Sequence, residues 1–284
     1  MKSRLENPLI LFTKPWPGLS LPELGRLVKR LGCDGVELPV RPGYQVTPDR
    51  VAKGLPEAAR LLSKEGVKIG SVAGSTDEAT IAACGEAGVP ILRVCLAVDL
   101  KMGYKASEEK LRREYDALVP LLRKHNVSIG VQNHCGNMIG SAIGVMHLIE
   151  GYEPAAVSAV LDPAHCAVAG EPPEMAIDIV WSHLSLMNFK AASHWRTNGL
   201  NAPEAAWEVY WTTAQHSGYS WKAAVAELKK RDYSKDICLP AEYSDWRKGG
   251  QLMGDDVIPF LSHDVAYLKH LMGEGGTEAA AAPR

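Results

Sequence analysis

The chain has 284 residues, 46% of them hydrophobic and 23% charged, enough apolar material to bury a large core without staples. Lysine plus arginine number 31 against 33 aspartate plus glutamate, a formal net charge of −2, which argues against a nucleic-acid partner. Six cysteines without a C-x-x-C pair, a polar start over Met1–Pro8 and no apolar run near the roughly 20 residues that span a bilayer predict a cytoplasmic protein without a membrane partner.

Strand and helix signals alternate along the chain. The first strand is read at Leu9–Thr13. An amphipathic stretch over Leu21–Leu31 follows, with Ser20 as N-cap and Pro22 in its first turn. Gly35–Leu38 is the second strand, and Leu55–Lys64 the helix after it, ending before Gly66. Strands at Lys68–Val72 and Ile91–Leu96 come next. The long stretch Ser107–His125 then carries Leu111, Tyr115, Leu118 and Leu122 on one helical face. Val127–Gln132, Ser158–Leu161, Leu184–Asn188 and Ile237–Glu242 complete eight strands, with helices at Ile143–Ile149, Glu174–Val180, Trp221–Lys230 and Val257–Leu271.

Strand-then-helix units require parallel strands, because each helix carries the chain back across the sheet. Eight such strands can close without leaving an edge. The expected fold is α/β, a (β/α)8 TIM barrel with a parallel closed eight-stranded sheet, forming one domain over residues 1–272. A doubly wound open sheet competes, but the chain has no G-x-G-x-x-G phosphate turn. Two segments fall outside the pattern. Ala191–Ser220, rich in Trp, Asn and Gly, is expected as a lid or subunit contact, and residues 273–284 as a disordered tail.

The polar residues collect at strand ends. Val157 to Leu161 is an apolar run that stops at Asp162, with His165 three residues on. Val127 to Val131 ends in Gln132-Asn133-His134, Leu184 to Met187 in Asn188-Phe189-Lys190, and Ile237 to Ala241 in Glu242. A buried strand needs no charge at its end, and the C-terminal ends of barrel strands share one mouth. Lys14, Glu37, Gln132, His134, Asp162, His165, Asn188, Lys190 and Glu242 are therefore expected on a common floor. Each alone has a bland reading, such as Asp162 capping a turn before Pro163. Their convergence is the signal.

With these residues the chain resembles the xylose isomerase-like TIM barrels, the sugar phosphate isomerases/epimerases. The resemblance is carried by Gly32-Cys33-Asp34-Gly35-Val36-Glu37-Leu38, by Leu161-Asp162-Pro163-Ala164-His165 and by Phe189-Lys190. Gly218 and Trp221 ahead of Leu239-Pro240-Ala241-Glu242-Tyr243 add to it. It implies a divalent metal ion, Mn²⁺ or Mg²⁺, held by Glu, Asp, His and Glu on strands five to eight. Asp162 and Glu242 match. Gln132 stands where Glu is expected and Asn188 where His would sit. The implied metal set is thus Asp162, Glu242, Gln132 and Asn188, with His165 or His134 as substitutes. Amide oxygens bind hard cations but bring no formal charge, so affinity falls and zinc is disfavoured.

The chemistry implied is metal-assisted proton transfer next to a carbonyl of a small carbohydrate. Gln132 accepts no proton near neutral pH, which leaves Glu242 as the base and His165 or His134 as its partner. One base fits aldose–ketose isomerisation better than epimerisation. Lys190, Glu37, Lys14 and Trp16 are the expected substrate contacts, with Arg41, Trp195 and Tyr243 near them. Two alternatives stay open: a keto-sugar lyase or dehydratase, and a non-catalytic sugar-binding accessory protein with a degenerate metal site. An AP-endonuclease role needs histidine ligands on early strands, and the first histidine is His125. Trp207, Tyr210 and Trp211 in the insert suggest a homodimer.

Overall fold

Short apolar strands close on themselves in a computed structural model that describes residues 4–216 and 219–273. They are β1 (Leu9–Phe12), β2 (Gly35–Pro39), β3 (Lys68–Ala73), β4 (Ile91–Cys95), β5 (Ser128–Gln132), β6 (Val157–Leu161), β7 (Leu184–Asn188) and β10 (Ile237–Leu239). Every neighbouring pair is parallel, and β1 completes the ring between β2 and β10. At that seam Leu9 registers with Ile237 and Phe12 with Glu37. The expected barrel is the observed one.

Alternation along each strand builds two apolar layers. Ile10, Phe12, Ile91, Val160, Leu186 and Cys238 are among the side chains that fill the inside. Leu9, Leu11, Val36, Leu38, Ile129 and Val131 belong to the larger cluster between sheet and helices. Gly130 marks where the interior is tightest, since a Cβ there would meet Val160 Cγ2 at 2.7 Å and Ile91 Cγ2 at 2.8 Å. Gly130→Ala is expected to destabilise the fold by about 1–3 kcal/mol through overpacking. The check is a lowered urea midpoint at unchanged slope; an unmoved midpoint would mean a loosely filled barrel.

The helices are α1 (Leu21–Arg30), α2 (Val51–Lys64), α3 (Glu78–Glu86), α4 (Tyr104–His125), α5 (Ala142–Ile149), α6 (Pro163–Ala169), α7 (Pro173–Val180), α8 (Trp221–Lys230) and α9 (Ile258–Met272). Two of them add to the sequence reading. Helix α3 buries Thr80, Ile81, Ala83 and Cys84, mostly small side chains, so its periodicity is weak, although Asp77 caps it by accepting the Thr80 N–H at 2.9 Å. The short α6 begins on Pro163, and Asp162 is its N-cap.

The insert is an antiparallel hairpin of β8 (Ala191–Arg196) and β9 (Trp207–Thr212), with Ala192 opposite Trp211. Its inner end is tied to the loop after β10. The Trp211 N–H donates to Ser244 Oγ at 3.0 Å, and the Ser244 N–H donates to the Trp211 carbonyl at 3.0 Å. Gly273, at φ 97°, caps α9, and the rest of the expected tail, residues 274–284, lies outside the described residues. Among the described residues no helix is long and apolar enough to cross a membrane.

Candidate active site at the barrel mouth

Parallel closure brings all eight strand ends to one mouth, where a cavity of about 240 Å³ is walled by Lys14, Arg41, Arg93, His134, Lys190 and Glu242 among others. Lys190 ties several of the groups at this mouth together. Two residues beyond β7, this buried side chain donates to Glu242 Oε2 at 2.9 Å and lies 3.4 Å from Asp162 Oδ2 and 3.1 Å from His165 Nε2. The Trp211 ring of the hairpin covers it at 4.2 Å. Asp162 and Glu242, expected to converge, do so through one shared cation.

A second ammonium grips the same carboxylate. Lys14 Nζ donates to Glu242 Oε1 at 2.6 Å and to Gln251 Oε1 at 2.7 Å. Glu242 follows Ala241, whose φ of 55° lies in the left-handed region that alanine rarely adopts. Glu242 therefore leaves the end of β10 through a turn, not as a continuation of the strand. Burial would raise its carboxyl pKa, but Lys190 and Lys14 outweigh burial and hold it well below the usual carboxylate range. Burial alone would lower the Lys190 ammonium; Asp162 and Glu242 reverse this and keep it charged.

Asp162 divides its two oxygens. Oδ1 accepts the Ala164 N–H at 2.9 Å and so starts α6, while Oδ2 accepts Gln132 Nε2 at 2.8 Å. Burial pushes its carboxyl up, Lys190 pulls it back, and the groups around it are donors that suit a carboxylate. A carboxylate only accepts, so Gln132 must turn its NH₂ inward, which leaves its oxygen 3.6 Å from Cys95 Sγ. Asn188 Oδ1 is buried at the cavity wall with no hydrogen-bond partner among the described residues.

The two histidines bind the backbone N–H and carbonyl of Cys135. His134 Nδ1 lies 2.9 Å from the Cys135 carbonyl. A carbonyl cannot donate, so Nδ1 carries the proton and Nε2 keeps its lone pair. The Cys135 N–H donates to His165 Nδ1 at 3.1 Å, and the other nitrogen of that ring, Nε2, faces the Lys190 ammonium at 3.1 Å. The rings pack at 4.1 Å. Burial lowers both imidazole pKa values, and Lys190 depresses each further. His134 borders the cavity, whereas His165 is fully buried beneath it. His134, Cys135 and His165 also bring three possible metal-ligating atoms within 4.8 Å of one another, although the nitrogens of His165 already face the Cys135 N–H and Lys190.

Other expected contacts lie elsewhere. Glu37 does not reach the mouth as a free acceptor. It is fully buried, accepts Arg93 Nη2 at 2.7 Å and Nε at 3.0 Å, and also accepts Ser71 Oγ at 3.0 Å. Trp16 is packed into the core between sheet and helices and offers no face to the cavity. The Tyr243 hydroxyl points away and donates to Asp264 Oδ2 at 2.9 Å. Trp195 sits exposed on the hairpin. Arg93 and Gln251, which sequence reading passed over, take their places, and Trp211, expected at a subunit contact, lies over Lys190. A lone arginine within the apolar run Ile91–Cys95 was the available signal for Arg93.

Trp211 holds Lys190 by its ring face and meets His165 edge-on at 5.1 Å. Trp211→Leu is expected to remove about 1–2 kcal/mol of folding stability, mainly the partly desolvated cation–π contact. Chemical denaturation checks this. A stability equal to wild type would mean the hairpin stands free of the barrel.

The sequence profile described as xylose isomerase-like TIM barrel matches residues 26–253. No curated protein matches the chain. Among solved structures, 3-keto-D-glucoside 4-epimerase from E. coli superposes with a TM-score of 0.68 at 11% identity, covering 93% of this chain and 100% of that one. D-psicose 3-epimerase from Clostridium cellulolyticum H10, solved with D-tagatose, gives 0.68 at 11% identity over 93% and 99%. A xylose isomerase-like TIM barrel protein from Mycobacterium smegmatis in complex with magnesium gives 0.64 at 13% identity over 96% and 98%. At such identities these structures attest the fold. By its profile match over most of its length, the chain belongs to the xylose isomerase-like TIM barrel family.

Proposed function

We propose that this protein is a sugar isomerase/epimerase-like enzyme that moves a proton next to the carbonyl of a small carbohydrate. The observation that carries the reading is a neutral His134 with a free Nε2 lone pair on the wall of a cavity otherwise rich in fixed cations. Proton abstraction beside a carbonyl needs a base near neutrality and a positive field for the oxyanion that forms. His134 supplies the first, and Lys190, Lys14, Arg93 and Arg41 supply the second.

Glu242 changes role in this reading. Both its oxygens bind ammonium groups, which makes it a weak proton acceptor and a strong anchor for two lysines. His165 accepts the Cys135 N–H and so steadies the backbone whose carbonyl accepts the His134 Nδ1–H. Asn188 Oδ1, buried and unsatisfied, is suited to accept a substrate hydroxyl. In the forward step the C–H electron pair becomes the enediolate double bond as the proton passes to His134 Nε2. The carbonyl π pair moves onto its own oxygen in that step; returning the proton from His134 to the former carbonyl carbon, while the hydroxyl proton passes from the neighbouring oxygen to this one, completes an aldose–ketose exchange with one base.

The divalent ion implied by the family does not fit the residues present. Of the four groups expected to hold Mn²⁺ or Mg²⁺, Asp162 and Glu242 face an ammonium, and Gln132 points its NH₂ at Asp162. Among these groups, Asn188 Oδ1 is the oxygen without a hydrogen-bond partner among the described residues. No step here passes through an ion.

Incubation with small ketoses and aldoses in D₂O, followed by proton NMR, tests the reading. Deuterium is expected next to the carbonyl, and His134→Gln is expected to slow its entry by about 10²–10⁴-fold. Exchange unaffected by that substitution would remove His134 from the role. Loss of water or an aglycone during exchange would instead favour the keto-sugar lyase, which begins from the same enolate.

A further inference from the structure

We propose that Lys190, with Lys14 beside it, is a built-in cation occupying the place of the family's divalent ion, so that the site works without metal. The inference about catalysis rests on the isomerase reading above; the inference about the ion does not.

Charge balance comes first. Asp162 and Glu242 carry −2 together, and a divalent ion between them would bring the sum to zero. Here Lys190 and Lys14 carry +2 and reach the same oxygens: 2.9 Å from Glu242 Oε2, 3.4 Å from Asp162 Oδ2 and 2.6 Å from Glu242 Oε1. The carboxylates are already neutralised, and an added divalent ion would leave a net +2 in a buried pocket, where uncompensated charge is costly.

Position comes next. Lys190 is not a surface side chain that folded inward by chance. It is almost fully buried, its carbonyl accepts Trp221 Nε1–H at 3.2 Å, and its ammonium is sandwiched between His165 and the Trp211 ring. The hairpin that contributes Trp211 is an insertion between β7 and α8. The two amides fit the same scheme. Gln132 donates to Asp162, a contact that glutamate at this position could not make, and Asn188 adds no positive or negative charge.

A monovalent ammonium can do part of an ion's work. It can donate hydrogen bonds to a developing oxyanion next to the His134 base, but it cannot chelate two oxygens at fixed angles. This favours proton transfer at a single carbonyl over reactions that need a rigid two-oxygen clamp.

The test is titration of the purified full chain with MnCl₂, following free Mn²⁺ by electron paramagnetic resonance. Wild type is expected to bind no Mn²⁺ below about 1 mM. The variant Lys190→Ala with Gln132→Glu and Asn188→His is expected to bind one ion at least about tenfold more tightly. One Mn²⁺ per wild-type chain at micromolar affinity, abolished by Asp162→Asn, overturns the proposal. So does a triple variant that melts cooperatively yet binds nothing. In parallel, wild type treated with EDTA is expected to keep its D₂O exchange rate; a drop restored by Mn²⁺ overturns the metal-free claim. Wild type that binds no Mn²⁺, a triple variant that does, and no exchange with any sugar would together support the lysine's place and overturn the isomerase reading.

Discussion

Lys190→Met is expected to cost both stability and catalysis, and by more than any other single change at the mouth. The ammonium touches Glu242 and lies close to Asp162, both largely withdrawn from water. Removing one partner of a buried ionic set costs about 3–5 kcal/mol, because the charge left behind has lost its counter-ion without regaining water. Lys14 still serves Glu242, so most of that loss falls on Asp162. Burial already pushes the Asp162 carboxyl up; Lys190 is the main restraint, helped by the Ala164 N–H. In the variant it rises further. A carboxyl whose folded pKa lies above its unfolded value stabilises the fold at acid pH and loses that contribution as pH climbs through the raised value. The penalty is therefore present at neutral pH and shrinks as pH falls toward the ordinary aspartate value of about 3.9. Urea denaturation at two pH values reads this directly. An equal penalty at both would mean that Asp162 is not the group left stranded. For activity, loss of a preorganised oxyanion donor is expected to lower kcat for D₂O exchange by about 10²–10³-fold.

Much of this arrangement was legible in the residues. Seven strands recognised by apolar runs between turn signals reappear within a residue of their expected bounds, since parallel strands covered on both faces must be apolar throughout; the last ends at Leu239, three residues before the expected Glu242. The end of β6 at Asp162 could be read because an ionisable group directly after such a run needs a reason. What sequence could not supply was reach. Lys190 and Gln132 occupy the expected positions, but whether a lysine on a four-carbon stem points to solvent or into a carboxylate pair depends on neighbours 52 residues away along the chain. The same holds for Glu37, expected at the mouth. Its strand position is compatible with both the mouth and the barrel interior, and its partner on β4 decided the outcome. Helix α3 was missed for a different reason. Its buried face of Thr80, Ile81, Ala83 and Cys84 carries little hydrophobic contrast, and the Asp77 cap is the clearer signal.

The second large effect is expected beneath the mouth, at Glu37 and Arg93. Both side chains are buried, Arg93 donates to both Glu37 oxygens, and its guanidinium lies 4.8 Å above the Phe12 ring. Glu37→Gln leaves an arginine that cannot shed its proton inside a protein. The expected loss is about 3–5 kcal/mol, which for a chain of this size lowers the melting temperature by roughly 10 °C. Arg93→Met should cost a similar amount by stranding the carboxylate. Combining Arg93→Met with Glu37→Leu replaces two charges by apolar groups of similar reach, and such swaps of a complete buried pair are often close to neutral. The double variant is thus expected to melt near wild type, far above either single variant. Losses that simply add would show that the two charges do not depend on each other. Recovery of stability should not restore exchange activity. Arg93 also faces the cavity, and the rescued barrel would lack one of the cations that surround the reacting carbonyl. Stability and turnover then separate at one pair: the Coulomb partnership supports the fold, and the cavity-facing edge of the guanidinium serves the site.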